Sequence, residues 1–302
     1  MVGPPGSAAF DVEAPNPARL RWLVGAGGQP GSIVFGTWSY ARRLVIGGAP
    51  QLLDTGAPIW ISQILSDGSV LGSERIEPRT FLRMKLNEPV EREEQIREVR
   101  WTDNELAVSP DAERVAFVST RNGVDQIWVS KIDGSEARVL VAAIPPYGDY
   151  GDNTMAGDLS WSPDGQWIAF LTSPGVGHGD PEARMFIVPS AGGALRVLAE
   201  LCSLDGRGVP WTADSRSVFI AKEKIVPGEE VSSESDYFQL DILTGKLTPV
   251  SEASLPPRPM TLAPSPVENA RLALGGQYLY FERRGESKER IVMVHGLLPK
   301  VP

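Results

Sequence analysis

One phrase, repeated with variations, constrains this chain more than anything else in it. Ser109-Pro110-Asp111-Ala112-Glu113-Arg114-Val115-Ala116-Phe117 is followed by Gln126-Ile127-Trp128-Val129, then Asp133-Gly134-Ser135 and Arg138-Val139-Leu140. It returns as Ser162-Pro163-Asp164-Gly165-Gln166-Trp167-Ile168-Ala169-Phe170, Met185-Phe186-Ile187-Val188, Ala191-Gly192-Gly193 and Arg196-Val197-Leu198. Short apolar runs joined by Asp/Gly/Pro turns are strands, and their recurrence marks stacked small antiparallel sheets. Such sheets expose edges unless the array closes on itself.

The Asp of the turn phrase falls at Asp67, Asp111, Asp164 and Asp214, a spacing of 44, 53 and 50 residues. A degenerate unit follows, in which Ser265-Pro266 leads to Arg271 to Leu274, Tyr278 to Phe281 and Ile291 to Val294. Strand rhythm alone marks another at Arg21 to Val24, Ile33 to Phe35, Leu44 to Ile46 and Gln51 to Leu53. Six units between residues 19 and 297 average about 46 residues each, the period of a four-stranded blade. The expected fold is therefore all-β, a six-bladed β-propeller of four-stranded antiparallel blades. The expected layout is a flexible arm 1–18, a single propeller domain 19–297 and a tail 298–302. Closure is expected within one blade, in preference to the arm Ala8 to Glu13 adding an outer strand to the last one. In the unit of Ser109, strand a holds Leu106 to Ser109, b Arg114 to Val118, c Gln126 to Ser130 and d Ala137 to Leu140. Trp101, Trp128, Trp161, Trp167 and Trp211 lie at or beside strands and read as packing between blades.

These phrases resemble the WD40-like repeats of the TolB family and of propellers in the prolyl oligopeptidase family. The match covers about 95 residues closely, with Ser162 to Phe170 nearest the repeat consensus. The resemblance implies the bacterial type of propeller and a periplasmic or other extracytoplasmic setting, although Met1 to Phe10 carries no signal-peptide pattern. Function does not come with such a fold, because these repeats serve in binding proteins, sensors and enzyme accessory domains.

Chemistry is sparse. Only His178 and His295 are present, and the lone Cys202 reads as an inert buried thiol. No Gly-x-Ser-x-Gly elbow or Walker loop occurs, and Gly25-Ala26-Gly27-Gly28 reads as turn glycines rather than a dinucleotide fingerprint. With 29 Lys and Arg against 38 Asp and Glu, the net charge is −9, which disfavours nucleic acid or an anionic membrane as the main ligand. No run reaches the length of a membrane-spanning helix. The chain is thus expected to be no enzyme, to insert in no membrane, and to act as a monomer or inside a larger assembly.

Loop length gives the functional expectation. The a–b and c–d turns are tight, whereas 141–158, 172–184, 199–209 and 223–236 are long and fall on the opposite face of an antiparallel blade. Long loops on a rigid scaffold carry binding. A protein partner with a basic surface is therefore expected on 141–158, 172–184 and 223–236, through Tyr147, Asp149, Tyr150, Asp152, His178, Asp180, Glu229 and Glu230. Within the first loop, Asp149, Asp152, Asn153 and Asp158 supply the oxygen ligands that calcium takes, without EF-hand spacing. A solvated turn cluster is the reading favoured there, and no other cofactor is expected. The rival functions are a propeller lyase or hydrolase with a site in the central channel, and a sensor or accessory domain of a longer polypeptide.

Overall fold

The computed structural model describes residues 20–23, 32–36, 41–45, 51–53, 59–64, 70–76, 78–86, 93–100, 102–122, 124–145, 155–173, 183–200, 209–223, 235–255, 267–273 and 277–294. The chain divides into two compact units, Met1–Ile76 with Lys288–Pro302, and Glu77–Ser287. The first unit holds an antiparallel meander of β1 (Leu20–Leu23), β2 (Ser32–Gly36), β3 (Ala41–Val45) and β4 (Gln51–Leu53). It also holds a three-stranded sheet in which β6 (Val70–Ile76) lies between β5 (Ile59–Ile64) and the last strand, β22 (Lys288–Val294).

The second unit carries four sheets. β9 (Asp103–Val108), β10 (Arg114–Ser119), β11 (Gln126–Lys131) and β12 (Arg138–Val141) form one meander, within a residue or a few of the strands expected from the phrase. β13 (Met155–Trp161), β14 (Trp167–Ser173), β15 (Arg184–Pro189) and β16 (Arg196–Ala199) repeat it. In the third sheet, β17 (Ser217–Glu223), β18 (Ser235–Asp241) and β19 (Leu247–Val250) pair in sequence, and the innermost strand shrinks to the bridge Trp211–Val218. The fourth sheet joins the two ends of the unit: β20 (Val267–Ala273) and β21 (Tyr278–Arg284) pair with β7 (Arg79–Lys85) and β8 (Glu94–Val99), in the order β20-β21-β7-β8.

That fourth sheet corrects the reading of the C-terminal repeat. Residues 267–273 are one strand, so Arg271 to Ala273 are its end rather than a separate strand after a Ser265-Pro266 turn; Ser265, Pro266 and Leu274 lie outside the described residues. β22 leaves β21 altogether and pairs with β6, Lys288 opposite Ile76. The switch follows from two breakers that meet. Pro78 has no N–H to extend a ladder, and its carbonyl accepts the Gly285 amide at 2.7 Å. A Cβ on Gly285 would stand 2.9 Å from the Pro78 ring, so only glycine passes there.

Period-two alternation explains the core. The central strands are apolar on both faces because each face meets a different sheet. Val115 and Phe117 of β10 pack with Phe81, Val99 and Tyr280, while Ala116 and Val118 pack with Trp161, Ile168 and Phe170. Ala169 and Leu171 of β14 turn the other way, toward Val218, Ile220 and Leu240. Phe170 and Phe186 stack at 5.4 Å. Trp161 lies in this core and donates its indole N–H to the Ala107 carbonyl at 2.9 Å, and Trp128, Trp167 and Trp211 pack on its margins; Trp101 is outside the described residues. The outermost strands β12 and β19 are short, as edges are, and β19 is largely exposed.

The hairpins that lead into β10, β14 and β17 are wired identically. In the turns of Ser109, Ser162 and Thr212, the side-chain hydroxyl donates to the Asp two residues on and accepts the amide five residues on, Arg114, Trp167 and Ser217, at 2.9–3.0 Å. Each Asp in turn accepts the amide of Glu113, Gln166 or Arg216 at 3.0–3.1 Å. The residue between them, Ala112, Gly165 or Ser215, has a φ of 57, 70 or 61°. Gly165 alone occupies that left-handed seat without strain.

Candidate functional site

The two ends of these sheets differ in chemistry. At the Ser/Thr-x-Asp end of the second unit, the turns satisfy their own polar groups and are tied to one another. Ser190 donates its hydroxyl to the Gly165 carbonyl at 2.7 Å, and the Ser215 hydroxyl accepts the Asp164 amide at 2.9 Å. At the other end, the chain leaves after Val141, Ser173, Ala199 and Glu223 and re-enters strands or their approaches at Met155, Arg184, Val209 and Ser235. These four connections therefore begin and end at one end of their sheets, as their lengths in the sequence imply. Their strand boundaries are tighter than expected: Asp158 is not in a loop but inside β13, because Ala156, Leu159 and Trp161 are buried in the core and carry the strand back to Met155. Tyr147, Asp149, Tyr150, Asp152, Asn153, His178, Asp180, Glu229 and Glu230 lie outside the described residues.

At this end, the described part of the β20-β21-β7-β8 and β9–β12 sheets is built from charge. Asp103, at the start of β9, is buried and accepts from Thr102 Oγ1 at 3.1 Å, Ser119 Oγ at 2.7 Å and Arg121 Nη2 at 2.8 and 2.9 Å. Arg121 lies over Trp128, its Cζ 4.2 Å from the ring centroid. Arg79, at the start of β7, donates to Asn104 Oδ1 at 3.2 Å, to the buried Glu282 at 3.3 Å, to the Arg100 carbonyl at 3.0 Å and to the Asp103 carbonyl. Buried carboxylates need such saturation, since an unpaired charge in a low-dielectric interior is expensive. Saturated in this way, Asp103 ties the β9 end to Ser119 of β10 and to Arg121 just beyond it.

Two further contacts anchor the connection that ends at Met155. Asp125 accepts the Ala156 amide at 3.2 Å, and burial pushes the Asp125 carboxyl above the usual carboxylate range. Asp158, with φ of 52°, donates its amide to Glu105 Oε2 at 3.2 Å; Glu105 itself has φ of 54°. Both stand at bulges of innermost strands, where the register breaks between Ala116 and Val118 opposite β9 and between Gly157 and Ser160 in β13. Bulges re-aim side chains, and here they place an acid at the same seat of successive sheets.

Sequence reading did not find the Asp103–Arg121 and Arg79–Glu282 pairs. The signal available was the charge next to strand ends, in Thr102-Asp103 and Ser119-Thr120-Arg121, but partners 203 residues apart, such as Arg79 and Glu282, have no local signature. Among the described residues there is no group of three or more His, Cys, Asp or Glu arranged to hold a metal ion, and no helix long and apolar enough to cross a membrane.

Four-stranded antiparallel meanders, with the first strand innermost and cores between successive sheets, are the blades of a β-propeller. The described sheets are blades of that kind. No family model and no curated protein matches the chain. Among solved structures it is similar to a protein assigned as TolB from Agrobacterium tumefaciens, at 15% identity over 88% of this chain and 90% of that one, with a TM-score of 0.37. It is similar to TolB from Acinetobacter baumannii at 14% identity, over 90% of this chain and 65% of that one, with a TM-score of 0.35. It is also similar to oligogalacturonate lyase from Vibrio parahaemolyticus at 12% identity, over 83% of this chain and 74% of that one, with a TM-score of 0.39.

Proposed function

We propose that this chain is a non-enzymatic protein-binding or scaffold module whose partner docks on the connections 141–158, 172–184 and 223–236. The observation that carries the reading is the asymmetry of the three sequentially paired sheets of the second unit: at one end their described turns are short and satisfy their own polar groups, and at the other the strands that bound 141–158, 172–184 and 223–236 end. A rigid base with adaptable loops is the arrangement that binding surfaces use. Tyr147 and Tyr150 supply anchors with few rotatable bonds, and Glu229, Glu230, Glu234 and Asp236 favour a basic partner.

The test is to shorten 174–183 and 228–235 to tight turns, replace Tyr147 and Tyr150 by Ala, and compare partner recovery from the native source with that of the wild type. With the melting temperature unchanged, recovery should fall at least tenfold and the wild-type complex should weaken as salt rises. Undiminished recovery of the same partners by the folded variant would refute the placement.

A further inference from the structure

The sheets of this chain end in short or charged outer strands, with one exception. β4 has three residues and β12, β16 and β19 have four, β19 with Pro249 inside it, while the six-residue β8 carries Glu94, Arg97 and Glu98. Each of these devices keeps a further strand from adding to the edge. β22 is also outermost, in the order β22-β6-β5, yet it has seven residues and ends in Ile291-Val292-Met293-Val294. Its length is that of a third strand, like β11, β15 and β18 with six, six and seven, and each of those has a further strand outside it. Among the described residues, nothing pairs with the outer edge of β22.

Exposure points the same way. Ile291 is 81% exposed and Met293 48%, and two residues apart they share one face of the strand. Register sets the small Ser73 opposite Ile291 on the inner side, so apolar cover for Ile291 has to come from the outer side. One segment of this chain is suited to supply it. Residues 1–19 lie outside the described residues, and within them Ala8-Ala9-Phe10-Asp11-Val12-Glu13 alternates with period two between Pro4-Pro5-Gly6 and Pro15-Asn16-Pro17, the pattern of a short strand between breakers. Outer strands here run antiparallel to their neighbours. Laid so on β22 with Phe10 opposite Met293, the segment sets Val12 opposite Ile291 and Glu13 opposite Arg290, two apolar pairs and one of opposite charge. The chain then has to return to β1 at Leu20, in the sheet whose β2 lies alongside β5. Three strand spacings and one sheet spacing separate points about 17 Å apart, and the chain from Glu13 to Leu20 spans up to about 23 Å. The sequence alone favoured closure within one blade, whereas the unpaired edge of β22 favours the arm.

We propose that the outer edge of β22 is a strand-docking site whose occupant is residues 9–13 of this same chain, held by main-chain hydrogen bonds with Phe10 and Val12 beside Met293 and Ile291. Addition of a strand to an edge takes its affinity from the main chain and its selectivity from alternate side chains. The site therefore accepts a short extended segment with apolar residues at every second position and an acid beside them. Once the arm is removed, the edge takes the same segment in trans. None of the connections 141–158, 172–184 and 223–236 takes part in it.

The test is hydrogen exchange at the β22 amides in the full chain, in a variant lacking residues 1–14 and in F10S/V12S. The full chain should protect the β22 amides that β6 does not hold, and both variants should exchange them at least about tenfold faster. A synthetic peptide of residues 7–14 added to the shortened variant should restore that protection, and the same peptide with Ser in place of Phe10 and Val12 should not. V12C/I291C in a C202S background reads the pairing without any truncation, because directly opposed residues stand within disulfide reach. Mild oxidation should close that bond within one chain. Outward β22 amides that exchange at the same rate with and without the arm, protection that rises with protein concentration and so comes from a second copy, or a cysteine pair that joins two chains or fails to close would each overturn the assignment.

Discussion

Two interfaces inside the second unit do the same structural task with different chemistry. Between the β9–β12 and β13–β16 sheets the contact is apolar, with Val118, Ile127, Trp161, Phe170 and Phe186 interlocked and Arg138 stapled to Ser190 at its margin. Between the β20-β21-β7-β8 and β9–β12 sheets, a smaller apolar cluster around Phe81, Phe117 and Tyr280 adjoins the buried pairs Arg79–Glu282 and Arg121–Asp103. The repeat places the same strands on both sides, so the difference is not one of fold. Apolar packing tolerates loss of a few atoms in proportion to the cavity left, whereas an ion cluster fails when any one member goes, because the survivor stays buried and charged.

Asp103→Ala should show this most strongly. It removes the acceptor of Thr102, Ser119 and Arg121 together, and a loss of about 3–5 kcal/mol is expected in denaturant unfolding. Phe170→Ala at the apolar interface should cost a similar 3–5 kcal/mol or slightly less, but Phe170→Leu should recover most of it, since volume is what matters there. Asp103→Asn should recover far less of the first loss, because an amide cannot neutralise Arg121. If the two conservative variants rescued equally, the contrast between the interfaces would be wrong.

Asp125 sharpens the same contrast through pH. Its folded-state carboxyl is held above the ordinary range by burial, so the ionised form is what the fold disfavours. The sign follows: the penalty is present at neutral pH and fades as pH falls through the raised folded value, where the carboxyl is already protonated. Asp125→Asn should therefore be more stable than wild type at pH 7, and the gap should close on acidification. A gap that widens toward low pH would mean that the ionised carboxylate is needed to hold Ala156.

The turns and strands were legible in the sequence because their causes are local. Ser162 to Phe170 spells its hairpin through a hydroxyl, a carboxylate and a glycine within six residues, and alternation in Val115 to Val118 announces two buried faces. The pairing of β21 with β7 was not legible, since it joins the two ends of the unit, and no local pattern connects Pro78 with Gly285 where that ladder stops. A better local alignment was there to be seen: Gly276-Gln277-Tyr278-Leu279-Tyr280-Phe281 matches Gly165-Gln166-Trp167-Ile168-Ala169-Phe170 and places the degenerate hairpin turn just before β21. At the candidate site, loop lengths marked which end to look at, whereas the Asp103 and Arg79 contacts depend on distant strands. Charge in a sequence does not say with whom it will be buried.

The smallest expected effects lie in the hairpin seats at 112, 165 and 215, of which Ser215 also bonds the neighbouring sheet through the Asp164 amide. Asp164→Ala comes first among them, at about 1–2 kcal/mol, because one carboxylate oxygen serves both Ser162 and the Gln166 amide. Gly165→Ala should cost about 1 kcal/mol: the added methyl finds nothing nearer than 3.9 Å, so the cost is the left-handed backbone alone. Ala112→Gly tests the converse. The φ of 57° strains alanine, and glycine relieves it, but the methyl also packs on the Phe81–Phe117 cluster and glycine gains entropy in the unfolded chain. These offset, so the expected net change is within about 0.5 kcal/mol. Ser215→Gly relieves the same strain yet removes the acceptor of the Asp164 amide, and it should destabilise by about 1 kcal/mol. The order Gly165 wild type, then Ala112→Gly near neutral, then Ser215→Gly negative separates strain from contact. Equal responses at 112 and 215 would show that the Ser215 hydroxyl contributes nothing to joining the sheets.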